Sequence, residues 1–284
     1  MLNATPRNFS FTLAPAQITP GVGTNPDTIT IVASGTDMMP GPINITTPPA
    51  AITSPYVVTS AYGINAGDVL LVAQPGLDCT LAQSTSTPVN AGAAQNTIPH
   101  DAGTYTTGAG TAVARYNPGG GYGPLYGTNA VVIDMGASPV VNTYHIDIVN
   151  HNLEVDQLIA GQMAQTIAAN VVQLRAFYGK GTNGNGVLAT WDQVAPLTAA
   201  DWANVLAVRV ALVARSANPE KPDLATGNCT TTTAAPSVTW DDGTVTNLDV
   251  SASAPAVAGS NWMCYRYRVF HITASLRNLI WTPS

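Results

Sequence analysis

Apolar and polar residues alternate with a period of two along much of the chain, and Gly, Pro, Asn and Thr interrupt the pattern at short intervals. In Thr28 to Ala33, Ile29 and Ile31 alternate with Thr28 and Thr30, which predicts a half-buried strand. Asp68 to Gln74 is apolar at both parities, so a central strand covered on both sides is expected there. Further strands are expected at about 56–61, 78–85, 129–134 and 140–149. In the last of these, Tyr144, Ile146 and Ile148 face one way and His145 and Asp147 the other. A long strand at 205–214 and C-terminal strands at 265–273 and 275–280 complete the set. Two segments break the alternation. Ile159, Met163, Ile167 and Val171 recur at helical spacing, so a short helix or turn is expected near 160–168, before Val172, Leu174, Ala176 and Tyr178 resume as strand. Thr198 with Asp201 three residues later has the form of a capping box and predicts a helical turn ahead of the long strand.

Between these elements lie stretches without periodicity. Residues 1–27 carry Pro6, Pro15, Pro20 and Pro26 and read as an irregular lead-in, and 40–55 as a Pro-rich linker. Residues 86–127, including Asn117-Pro-Gly-Gly-Gly-Tyr-Gly-Pro124, read as a long Gly/Tyr-rich surface loop region. The whole chain, 1–284, reads as one domain, and its 45% hydrophobic content can supply a substantial core. Only 9% of residues are charged, as in a β-rich extracytoplasmic domain with many loops. A formal charge of −6 lacks the basic field that would draw in nucleic acid or an anionic membrane. No run of about 18 apolar residues is present.

Three cysteines, Cys79, Cys229 and Cys264, suggest an oxidising compartment. A Cys229–Cys264 bridge would close 229–264, a loop holding the run Thr230 to Thr233 and the Ala/Ser/Pro-rich stretch 251–259, too polar and irregular to hold themselves. Three reduced, buried thiols are the competing reading, and Cys79 is left either free or paired with a residue outside this chain. In Gly181-Thr-Asn-Gly-Asn-Gly-Val-Leu-Ala-Thr-Trp-Asp192, the calcium-loop candidates are Asn183, Asn185 and Asp192. Gly181 and Ala189 stand where carboxylates would be expected, so a Gly/Asn turn is preferred and neither a metal nor a cofactor is expected. His145, Asp147 and His151 lack further ligands of suitable spacing for zinc. Gly119 to Gly121 lacks the Lys and Ser/Thr of a phosphate loop, and no nucleophile elbow is present, so no catalytic constellation emerges. Arg266 and Arg268, two residues apart on one strand face, read as solvated or ion-paired.

The C-terminal run Trp262-Met-Cys-Tyr-Arg-Tyr-Arg-Val-Phe-His-Ile-Thr, leading into Ala274-Ser-Leu-Arg-Asn-Leu-Ile-Trp281, resembles the C-terminal signature of PilW-type minor pilins. Upstream, the order Tyr178-Gly179, Trp191, Asp201-Trp202, Val205 to Val213, Arg215-Ser216 and Pro219-Glu220 fits the same family. So do Tyr62-Gly-Ile-Asn-Ala-Gly-Asp-Val-Leu-Leu-Val-Ala73, Cys79-Thr-Leu-Ala-Gln and Tyr116-Asn-Pro. The likeness spans roughly residues 55–281.

The resemblance implies an α+β, mostly β fold: a pilin-like antiparallel sheet head with long loops, here without the N-terminal hydrophobic helix. It implies a subunit without enzymatic activity that joins other minor pilins and the major pilin, initiates type IV pilus assembly, caps the tip and supports a tip adhesin. Its place would be the bacterial inner membrane and periplasm before assembly and the pilus tip afterwards, with membrane contact only through the helix this chain lacks. Tyr122 and Tyr126 in the Gly/Tyr loop and Trp240 in the disulfide-closed loop are the expected partner-contact residues. Two other readings stay open: a J-type pseudopilin of a type II secretion system, and a free-standing β-rich adhesin or glycan-binding domain whose tyrosines stack on a ligand.

Overall fold

A computed structural model describes residues 13–35, 41–88, 96–182, 186–251 and 261–276. They are mostly antiparallel strand, and their contacts divide the chain into two compact units. One is built on Ala33–Val140; the other combines the segment up to Val32 with the chain from Val141 onward.

The second unit begins first in the chain. Strands β1 (Ala16–Thr19) and β2 (Thr28–Ala33) form a hairpin, so the lead-in expected to be irregular holds a strand. Ala16 and Ile18 are buried while Gln17 and Thr19 are not, a four-residue alternation too short to stand out among the flanking prolines.

The first unit is a six-stranded sheet. Its members are β3 (Ile43–Thr47), β4 (Tyr56–Val58), β5 (Val69–Ala73), β6 (Thr80–Gln83), β7 (Thr97–Ile98) and β10 (Val131–Asp134), in the order β6-β5-β10-β3-β4-β7. The hairpin β8 (Thr104–Thr107) and β9 (Gly110–Val113) stands beside it in sequence, so the linker 40–55 and the loop region 86–127 both contain strands. As its double-sided apolar pattern predicts, β5 lies between β6 and β10, with Leu70 and Val72 inaccessible. Tyr126 closes this core, its hydroxyl 2.7 Å from Thr80 Oγ1 and 2.9 Å from the Asp78 carbonyl. The Asn117 side chain accepts from the Gln83 amide at 2.8 Å and donates to the Gln83 carbonyl at 2.7 Å, fastening the distal loop to β6.

In the second unit, β11 (Val140–Asp147), β12 (Asn152–Gln157) and β13 (Gln162–Ala169) extend the hairpin into a five-stranded sheet, β1-β2-β11-β12-β13. The helical stripe expected over 160–168 is therefore strand. Ile159, Met163, Ile167 and Val171 are each four apart, a spacing that fits one face of a strand as well as a helical stripe, and the β12–β13 pairing is bulged where the Asp156 carboxylate accepts from the Ala164 amide at 2.7 Å. Met163 and Ile167 face solvent. A second sheet has the order β15-β14-β16-β19 and is made of β14 (Val171–Gly181), β15 (Leu188–Asp192), β16 (Val205–Arg215) and β19 (Tyr267–Ser275). The turn α1 (Ala199–Ala203) carries the expected capping box, Thr198 and Asp201 each bonding the other's backbone. A short hairpin, β17 (Ser237–Thr239) with β18 (Val245–Asn247), follows β16.

The two sheets bury Ile18, Ile29 and Ile146 against Leu174, Ala176, Tyr178 and Val208. On the far face of β14 and β16, Val172, Ala211 and Val213 meet Val238, Trp240, Leu248 and Val250. Each such side chain contributes about 1.5–3 kcal/mol on burial. The inaccessible Asp27 carboxylate joins the layers: it accepts from Arg175 Nη1 at 2.7 Å, Gln193 Nε2 at 2.5 Å, and the Gly21 and Ala176 amides at 2.9 Å.

In the first unit, burial pushes the Asp134 carboxyl up to about 6, the Gly136 amide that donates to it opposes the shift, and nearby Asp68 adds to it. Because this folded value lies above the unfolded one near 3.9, its stabilising effect is complete below about pH 4 and is lost as pH rises through 6. Asp134→Asn cannot titrate. Its stability relative to the parent should rise by about 2 kcal/mol between pH 4 and pH 8 in urea melts, and a difference independent of pH would contradict this.

Candidate functional site

In the β15-β14-β16-β19 sheet, Gly179 lies opposite Trp191, and a side chain at Gly179 would come within 2.7–2.8 Å of that indole. The glycine thus lets Trp191 lie against β14. One register step along, Phe177 pairs with Arg209, and the Arg209 guanidinium sits 5.1 Å from the Phe177 ring, 4.6 Å from Trp191 and 4.4 Å from Trp240. Asp242 closes this box with a 3.2 Å ion pair. Burial lowers the Arg209 pKa and Asp242 opposes the shift. The box fixes the β17–β18 hairpin on the sheet, a structural role for a charge that sequence reasoning missed.

Beyond it, the chain gathers at a disulfide corner. Cys229 is bonded to Cys264, and both are buried beside Tyr265, over whose ring the Arg215 guanidinium lies at 4.3 Å. The Ser216 amide donates to the Arg266 carbonyl at 2.8 Å, the Glu220 amide to the Cys264 carbonyl at 2.8 Å, and Arg266 Nε pairs with Glu220 at 2.5 Å. Thr232 Oγ1 donates to the Tyr265 carbonyl at 2.5 Å. Thus Arg215-Ser216, Pro219-Glu220 and Cys264-Tyr-Arg266, far apart in sequence, make one surface corner.

Adjoining it is an apolar strip. Leu212 pairs with Phe270, Val210 with Ile272 and Val208 with Ala274, so these side chains share a face with Leu174, Ala176 and Tyr178. The β14 residues are fully covered by the other sheet, Val210 and Leu212 are half-buried, and on the edge strand β19 Phe270 is 50% and Ile272 63% exposed. Cover ends between β16 and β19. Arg268 shares this face and lies 5.1 Å from the Phe270 ring.

The structure separates the residues expected to touch partners. Tyr122 is 57% exposed, but Tyr126 and Trp240 are 2% and 3% exposed, in the first unit's core and the Arg209 box. Neither buried ring is available to a partner, and the correction has a cause: both find polar neighbours inside, Thr80 for Tyr126 and Thr246, 2.9 Å from the indole nitrogen, for Trp240. Asn183 and Asn185 lie outside the described residues, as does Trp281. Asp192 is committed to Lys180 Nζ at 2.6 Å and to the Val194 amide at 2.8 Å. His145 turns to Glu154 at 3.5 Å and Asp156 at 3.7 Å, while the Asp147 carboxylate caps the turn at Val149 and Asn150. Among the described residues no group of three His, Cys, Asp or Glu is arranged to hold a metal. Cys79 is exposed ahead of β6, and burial, with Asp78 second, raises its pKa.

The corner, the strip and the Arg209 box all fall within residues 146–278, the segment that matches the family model PilW, described as Type IV Pilus-assembly protein W. Over these residues the chain is similar to PilW. No curated protein and no solved structure matches the chain. Motif residues within the matched segment have assignable physical tasks. Tyr178 accepts the Ile18 amide at 2.6 Å and meets Trp202 edge-on at 5.7 Å, Gly179 admits Trp191, and Asp201 caps α1.

The bridge that closes the corner spans a sequence separation of 35. A loop of that size predicts that Cys229→Ala/Cys264→Ala loses about 3–4 kcal/mol in denaturant titrations under oxidising conditions. A loss below about 1 kcal/mol would show that the corner holds without it.

Proposed function

We propose that the protein is a minor-pilin head of the PilW kind, acting without chemistry on a substrate: it joins other minor pilins and the major pilin, helps initiate type IV pilus assembly, and caps the tip beneath an adhesin. The observation that carries this reading is the uncovered half of the β16–β19 face inside the PilW segment. An apolar sheet face covered on only part of its width calls for a further apolar layer, and a contiguous exposed apolar patch marks an interaction site. The layer that fits is the hydrophobic helix characteristic of pilins, laid along Phe270, Ile272 and Ala274. The disulfide corner, rigid and polar at its rim through Glu220 and Arg266, is the face offered to neighbouring subunits. Before assembly the protein would reside in the envelope; among the described residues no helix is long and apolar enough to cross a membrane.

Phe270→Glu/Ile272→Glu tests the reading, because both side chains are exposed and the fold should tolerate the change. In the source organism, with the native gene removed, this variant should restore at least tenfold fewer surface pili than the parent protein, as counted by electron microscopy. Parental piliation with the variant, or undiminished piliation in the deletion strain, would contradict it.

A further inference from the structure

The first unit lies outside the PilW match, and it carries two hollows that the pilus reading does not use. The more enclosed has a volume of about 260 Å³, with Tyr56, Leu81 and His100 in its wall and Asp101 and Gly119 at its margin. The other, about 400 Å³ and more open, is bounded by Leu77, Asp78 and Pro124. Thr80 and Tyr122 line both, so the exposed Tyr122 ring stands on the ridge between them.

The ring is held there by its neighbours. Gly121, at φ +74°, lies so close to Ile52 that a side chain would approach within 2.7 Å, and Gly123, at φ +92°, presses on Thr80, whose hydroxyl would be 2.0 Å from such a side chain. Both flanks of Tyr122 are therefore seated on the protein, while Gly119 and Gly120 meet nothing within 4 Å of where a side chain would project and leave the adjoining space open. The Asn117 amide fixes the base of this loop, donating to the Asp101 carbonyl at 3.0 Å as well as bonding Gln83. His100 is stacked on Tyr56 with ring centroids 4.2 Å apart, its Nε2 is 2.9 Å from the Ser54 carbonyl, and burial lowers its pKa, so the enclosed hollow is not cationic at neutral pH.

We propose that the two hollows and the Tyr122 ridge form a binding site for a short neutral oligosaccharide. Pockets for drug-sized ligands span about 300–1,000 Å³; the open hollow, about 400 Å³, lies in that range and the enclosed one, about 260 Å³, just below it, so the pair suits a short sugar chain draped over the ridge. A pyranose presents an apolar C–H face to an aromatic ring and hydroxyls around its edge, which matches an exposed, rigidly held Tyr flanked by Asp101, Thr53 and Thr80. The charged lining side chains are the carboxylates Asp78 and Asp101, with no Lys or Arg among the lining residues, so sialylated, uronic or sulfated chains are disfavoured. The site is independent of the pilus reading: it would serve adhesion from a pilus tip or from a free domain alike.

The test is binding of the full chain to an array of defined glycans containing neutral, sialylated and sulfated oligosaccharides, with proline-rich peptides printed alongside. Retention on one or more neutral glycans is expected, falling at least tenfold in Tyr122→Ala with the thermal midpoint unchanged. Tyr62→Ala removes a still more exposed ring of the same unit and should bind as the parent does. The proposal is overturned by retention on no neutral glycan, by retention confined to acidic glycans or to the peptides, or by a Tyr122→Ala variant that binds as well as the parent. Each of these outcomes is read without pili and leaves the piliation experiment untouched.

Discussion

Two long strands, β14 and β16, are largely buried on both faces, and the second unit is arranged around the need to cover them. One face takes Ile18, Ile29 and Ile146 from the β1-β2-β11 side, with Asp27 locking that layer to β14 through Arg175 and the Ala176 amide. The other takes Trp240, Val238 and Leu248, fixed by the Arg209 box. The short β17–β18 hairpin at these residues lies in an otherwise irregular stretch, which the Cys229–Cys264 bond closes covalently. Core, box, bridge and corner all serve the coverage of one sheet.

The same constraint locates the surface assigned to assembly. Coverage stops one strand short, leaving Phe270 and Ile272 at a sheet edge beside the corner built by Arg215, Glu220 and Arg266. An apolar strip next to a rigid polar corner can seat a helix and present a neighbouring subunit with a fixed contour, which is what assembly by complementarity needs. His145 is engaged with Glu154 and Asp156, and Asp192 with Lys180.

How far the sequence could be read depended on whether the deciding contacts were local. Alternation located β2 residue for residue and found β5, β11 and β16 to within a few positions, and the Thr198–Asp201 box announced α1. It failed over β13, where a spacing of four fits a strand face and a helical stripe alike, and at β1, which is too short to show a period. Within the candidate site, the pairing of Cys229 with Cys264 follows from the need to close an irregular stretch. The Arg209 box does not: Phe177, Trp191 and Trp240 belong to two strands and the segment just after a third, and they meet only through cross-strand register. Tyr122 and Tyr126, four residues apart in an aperiodic loop, have opposite burial because Thr80 and the Asp78 carbonyl receive one hydroxyl and the glycines hold the other ring outward.

The claim that the second unit works by binding its neighbours is tested most directly by native mass spectrometry of this chain, alone and mixed with soluble heads of the pilus subunits encoded beside it. The account predicts a discrete hetero-complex of fixed stoichiometry that persists at physiological ionic strength. A spectrum containing only the separate monomers across the micromolar range would contradict it.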